Sequence, residues 1–190
     1  MKYIKFVIIA VLMIALTGGY YYYLSHRDSK PAEEDVTITR LDEVLLKQLD
    51  NAYPPTPREV IKFYNQFVEC AYGDTYDESQ FNQLVDQARK MMDDELLEAN
   101  PLDTYKSQLL SDIASYKDNK QRIIKTGVCA SDEVIFREID KKKCAYVKAT
   151  YFMKKGSGDF FRTYQRYLLR QDEDDNWKIL AFYLMDREEE

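Results

Sequence analysis

The sequence predicts an α+β domain carried behind an N-terminal transmembrane helix. Three observations predict it: an uncharged run of 19 residues from Phe6 to Leu24, apolar residues at helical spacing from 39 to 118, and a change to period two from Gln121 onward. At 190 residues the chain makes one domain with a proper core.

The run from Phe6 to Leu24 makes about 28 Å of helix at about 1.5 Å per residue, enough to cross a bilayer. Lys2 and Lys5 precede it, and Tyr20–Tyr23 close it where amphipathic rings favour the interface. The rival reading is a cleaved signal peptide, with an apolar core from Phe6 to Leu16 and small residues Thr17, Gly18 and Gly19 after it. Both readings imply export. Arg27 and Lys30 compete with Lys2, Lys5 and the terminal amine for the inner side. We read the N-terminus inside and the body outside, which places a single-pass protein in the cell membrane with an extracytoplasmic domain. The first cysteine is Cys70, so no lipid-modified cysteine stands at a cleavage site.

Residues 25–38, "SHRDSKPAEED" and its flank, have no periodicity and serve as a tether. Leu41, Val44, Leu45 and Leu49 then predict a short amphipathic helix over 39–51. Pro54 and Pro55 stop it. Thr56, Pro57 and Glu59 supply an N-cap, a first helical position and a capping box for the next helix, which runs to about Tyr72. Phe81, Leu84, Val85, Ala88, Met91 and Met92 mark a further helix at about 77–92. A short "DDELLEA" turn leads to Asn100-Pro101, and Tyr105, Leu109, Ile113 and Tyr116 mark a helix at about 102–118.

Five strands follow, at about 121–130, 133–139, 144–155, 159–171 and 177–186, read as a simple antiparallel meander. The body is therefore a single domain over 39–190, with helices over 39–119 and sheet over 120–187, the helices packed on one sheet face. In the last strand Trp177, Ile179, Ala181, Tyr183 and Met185 alternate with Leu180, Phe182 and Leu184. The face away from the helices is expected to carry Tyr146, Phe152, Phe160, Tyr164, Leu168, Leu180, Phe182 and Leu184. Such a patch is more than a monomer leaves bare. Either the 39–51 helix covers it, or a second copy or an envelope protein does.

Several function classes fall away on composition. Residues 1–27 hold three basic residues and no acid, which leaves 24 Lys+Arg against 33 Asp+Glu, or −9, in the remainder. That acidic body, with no basic run beyond "DKKK" at 140–143, argues against nucleic acid. The only histidine is His26, beside the membrane segment, so the domain holds no Ser-His or Cys-His nucleophile and no histidine metal site. Cys70, Cys129 and Cys144 are odd in number. In a simple meander Cys129 pairs near Val134 and Cys144 near Ile139, which keeps their sulfurs apart. Asp172, Asp174 and Asn176 alternate as a calcium loop begins, but the sixth and twelfth positions hold Trp177 and Tyr183 where Gly and Glu are needed. The stretch reads as a solvated hairpin turn. Glu138, beside Val134 and Phe136, is the best-placed strand acid and reads as an exposed strand-end charge.

Three helices and then a meander ending "YLLRQDEDDNWKIL" resemble the nuclear-transport-factor-2-like, or cystatin-like cone, superfamily over residues 56–187. "YPPTPREV" is similar to the start of the first long helix in an uncharacterised family of membrane-anchored bacterial proteins. The resemblance implies a cone with a cavity between long helix and sheet, and dimerisation through the sheet. It implies no activity, because that fold hosts isomerases, dehydratases and binding modules alike. In such a cone Tyr64, Phe67, Tyr151, Tyr167, Trp177 and Tyr183 converge, as packed core or as pocket lining. No catalytic, cofactor-binding or metal-binding residue emerges. The reading is a tethered binding module of unknown ligand without catalysis. The alternative is a small isomerase- or lyase-like enzyme using a cavity carboxylate and tyrosines. An open cavity with a buried acid near a tyrosine would favour the enzyme, and a filled cone the module.

Overall fold

The folded chain begins at a capping box. Thr39 Oγ1 accepts from Asp42 N at 3.2 Å, and the Asp42 carboxylate accepts from Thr39 N at 2.9 Å, which starts α1, Arg40–Leu46. The computed structural model describes residues 38–185, so the segment expected to span a membrane lies outside the described residues. Helix α1 ends five residues before the expected 51, because Gln87 takes its freed carbonyls from the side: Nε2 donates to Lys47 O at 2.8 Å and to Leu45 O at 3.4 Å. Leu49 is buried all the same.

Helix α2, Pro57–Gly73, starts at Thr56, whose hydroxyl accepts from Glu59 N at 3.2 Å, with Pro57 at the first position. Only half of the expected box forms, since the Glu59 carboxylate turns to Lys62 at 2.9 Å. Val60, Ile61, Tyr64, Phe67 and Cys70 of this helix are buried. Helix α3, Glu78–Lys90, carries a full box between Asp77 and Gln80. The stretch read as a turn is a helix, α4, Asp94–Ala99, capped by Asp93. Helix α5, Leu102–Asp118, buries Leu109 and Ile113. Among the described residues no helix is long and apolar enough to cross a membrane.

The sheet is antiparallel throughout: β1 Gln121–Val128, β2 Ile135–Ile139, β3 Lys142–Lys155, β4 Asp159–Gln171 and β5 Trp177–Met185. It is not a simple meander. Strands β1 and β2 pair with one edge of β3, β1 along residues 149–155 and β2 along 142–146. Cys129 N accordingly donates to Lys148 O at 2.9 Å, not to the neighbourhood of Val134, and Cys144 faces Arg137. All three cysteines are free thiols. The outer edge of β5 is partly closed by the Met91–Asp93 segment: Ile179 N donates to Met91 O at 2.8 Å and Asp93 N to Ile179 O at 2.9 Å. At the β4–β5 turn Asp172 Oδ1 accepts from Asp174 N at 3.0 Å and Asn176 N at 2.8 Å, so the carboxylate is spent on its own backbone. Among the described residues no group of three or more His, Cys, Asp or Glu side chains is placed to hold a metal ion.

One irregularity decides which residues face where. Leu169 pairs with Ile179 but Leu168 pairs with Ala181, leaving Leu180 as an extra residue in β5. A one-residue bulge exchanges the two faces of everything beyond it. Phe182 therefore lies opposite Tyr167 and Leu184 opposite Gln165 on the helix side of the sheet, while Ala181 and Tyr183 move to the outer side.

Candidate functional site

On the helix side, four of the six aromatic residues expected in the cone come together. Tyr64 stands 5.5 Å from Phe67 and 5.8 Å from Tyr167, ring centre to ring centre. The Tyr151 and Tyr167 hydroxyls meet at 2.6 Å. All four side chains are buried. Trp177 is also buried, but at the other end of β5, edge-on to Phe136 at 5.8 Å. Tyr183 is exposed on the outer face, where its hydroxyl accepts from Arg166 at 3.3 Å. The bulge at Leu180 is the reason.

Asn65, which the sequence reading passed over, organises the tyrosines. It is 2% exposed, its Oδ1 accepts from Tyr151 at 2.8 Å, and its Nδ2 faces the Gly127 carbonyl at 3.5 Å. The Tyr167 hydroxyl meets the Gln165 amide at 2.7 Å. The three contacts Asn65–Tyr151, Tyr151–Tyr167 and Tyr167–Gln165 need three protons, and the two hydroxyls supply two. Tyr151 donates to the Asn65 oxygen, and Tyr167 donates to Gln165 Oε1, so the close contact between the two hydroxyls shares these two protons. Burial raises Tyr64 and Tyr167 well above the usual phenol range and Tyr151 likewise, so the hydroxyls stay protonated. A polar residue on the stripe Ile61, Asn65, Val68 was the available signal.

No carboxylate joins this cluster. Glu69, whose charge reaches Tyr151, accepts from Thr126 N at 3.0 Å and Thr126 Oγ1 at 2.7 Å and pairs with Arg40. Glu138 is exposed. The one buried carboxylate among the described residues is Asp93, at the β5 edge, gripped by Arg170 through Nε at 2.9 Å and through Nη2. Of the face expected to meet a partner, Phe182 leaves for the helix side, where it is 46% exposed at 5.6 Å from Tyr167. Leu184 leaves with it.

What remains on the outer face is not simply apolar. Strand alternation sets Tyr146, Lys148, Thr150, Phe152 and Lys154 of β3 beside Phe160, Arg162, Tyr164, Arg166 and Leu168 of β4. Leu180, the bulge residue, is half-buried beyond them. Cations lie over rings: Lys148 over Tyr164 at 5.9 Å, Lys154 over Phe160 at 5.4 Å, Arg162 over Phe152 at 5.9 Å. Phe152 and Phe160 stack at 5.5 Å and 8°. Arg122 and Lys125 of β1 continue the pattern opposite Lys154 and Phe152. Among the described residues no strand position of this face holds an Asp or Glu. The helical stretch 38–120 holds 9 Lys+Arg against 16 Asp+Glu, −7, whereas 121–171 holds 12 against 5, +7. The acidic total hides a basic face.

The fold and this face define a helix-on-sheet α+β domain whose tyrosine-rich interior is packed and whose open sheet is aromatic and cationic. The chain belongs to the family described as a domain of unknown function, DUF6715, whose model matches residues 1–182. No curated protein matches it.

Proposed function

We propose that the chain is a membrane-tethered, extracytoplasmic binding module that works through the outer face of its sheet and carries out no chemistry of its own. The observation that carries this reading is the state of the interior. Tyr64, Phe67, Tyr151 and Tyr167 are packed against each other, the two central hydroxyls are spent on Asn65 and Gln165, and no carboxylate stands among them. The isomerase- or lyase-like alternative needs a base beside a tyrosine donor, and Glu69 is already engaged by Thr126 and Arg40. Helices over one face of an antiparallel sheet support the nuclear-transport-factor-2-like cone, here in a filled form. Residues 6–24 serve as the anchor in the cell membrane and 25–38 as the tether. A homodimer through the sheet would set Lys148, Lys154 and Arg162 against their own copies, so we assign the face to a partner of opposite charge. Protease treatment of intact and permeabilised cells, with the mass of the mature N-terminus, tests the topology. The domain should be cut from outside and the membrane fraction should retain residues 1–24. Cleavage only after permeabilisation would overturn it.

A further inference from the structure

The outer face holds a hollow of about 290 Å³ lined by Lys125, Thr126, Gly127, Thr150, Phe152 and Arg162. Gly127 sits in mid-strand opposite Thr150, where a glycine weakens a strand. Neither backbone nor packing demands it: positive φ among the described glycines occurs only at Gly156, and a Cβ added at 127 would meet nothing within 4 Å. What the missing side chain does is keep the floor of the hollow open between two cations. Among the described residues neither Lys125 nor Arg162 forms an ion pair.

We propose that the outer sheet face docks on an anionic phospholipid surface, with the hollow beside Gly127 receiving a headgroup phosphate. Three features choose this occupant. Among the described residues the strand positions of this face are cationic and hold no carboxylate, which is complementary to an anionic surface and repels a second copy. Its cations are interleaved with Tyr and Phe, the side chains that settle at the headgroup level. A tether of about 14 residues spans at most about 50 Å, so a membrane is always within the domain's reach. This last feature rests on the tethered reading given above.

The test uses the full chain in nanodiscs of phosphatidylcholine, with and without about one third phosphatidylglycerol. Amine acetylation followed by mass spectrometry reads Lys125, Lys148 and Lys154 against Lys62 and Lys117, which lie on helices. With phosphatidylglycerol the three sheet lysines should lose reactivity about fivefold or more while the helical pair is unchanged. The protection should vanish at about 0.5 M salt. Arg162→Glu should weaken it more than fivefold, since each basic residue near such a surface contributes about a fivefold factor. Gly127→Val fills the hollow without changing charge. It should weaken protection at Lys125 while leaving the melting temperature equal or higher. Equal protection on neutral discs, no protection on either, or stronger protection by single-stranded DNA would overturn the proposal. Should the chain wash off neutral discs, the anchor reading fails by itself. Co-flotation of that released chain with phosphatidylglycerol vesicles then still decides the docking face.

Discussion

Removing the Tyr151 hydroxyl should cost clearly more than removing that of Tyr167, although the two oxygens touch. In Tyr151→Phe the Asn65 oxygen, 2% exposed, is left with no donor, while Tyr167 still donates to Gln165 Oε1. A stranded buried acceptor costs about 1–3 kcal/mol beyond the lost bond, so about 2–3 kcal/mol in all. In Tyr167→Phe the Tyr151–Asn65 bond survives, and half-buried Gln165 falls back on water, for about 1 kcal/mol. Equilibrium urea unfolding reads both. With a slope of about 2 kcal/mol per molar, Tyr151→Phe should lower the midpoint by roughly 1–1.5 M and Tyr167→Phe by roughly 0.5 M. The double variant Asn65→Leu/Tyr151→Phe removes donor and acceptor together and should cost no more than Tyr151→Phe alone. The coupling between 65 and 151 should then be about 1–2 kcal/mol. Equal costs for the two tyrosines, or strict additivity with Asn65, would refute the hydrogen-bond order argued for the interior.

Asp93→Ala should destabilise by about 3 kcal/mol, since it removes the cap of α4 and leaves the mostly buried Arg170 with Glu95 alone. Arg170→Met on that background should recover part of the loss in the same unfolding assay. Thr56→Ala should cost about 1 kcal/mol by freeing the Glu59 amide at the start of α2, measured by thermal melting. At pH 8 iodoacetamide should label half-buried Cys129 first in the native protein. Cys70, buried with its thiol pushed up to about 12 chiefly by burial, should react only as the domain unfolds, as peptide mass spectrometry will show.

Most elements were legible because they are announced locally, the short helix Asp94–Ala99 being the exception. Asp77 with Gln80, Thr56 with Pro57, and the acidic turn at 172–176 name their own boundaries through caps and turns. The order of strands was not, because β1 and β2 reach the same edge of β3 through a three-residue helical turn at Ser131–Glu133 that carries no pairing information. The bulge at Leu180 was not legible either. "ILAFYL" is apolar in both registers, so alternation cannot detect a slip, and that slip moved Phe182 and Tyr183 to opposite sides of the sheet. The basic face was readable in principle. Arg162, Arg166 and Arg170 recur every fourth residue in a strand, where even spacing means one face, but a search for contiguous runs sees only "DKKK".

That separation of charge bears on how the domain would meet a surface. With −7 over residues 38–120, +7 over 121–171 and −6 over 172–190, the domain is acidic as a whole yet strongly uneven in charge along its length. An anionic surface repels the helical layer and attracts the sheet, so the field selects an orientation before any contact forms. Net charge alone would have predicted repulsion in every orientation. The cation–ring pairs sharpen the effect, because Lys148, Lys154 and Arg162 are held over Tyr164, Phe160 and Phe152 and lose little freedom on docking. Reversing Lys148 and Arg162 to glutamate lowers the charge of residues 121–171 from +7 to +3, leaving residues 38–120 at −7. Such a variant should keep its fold and lose its orientation, with Lys62 and Lys117 becoming as protected or as reactive as Lys125.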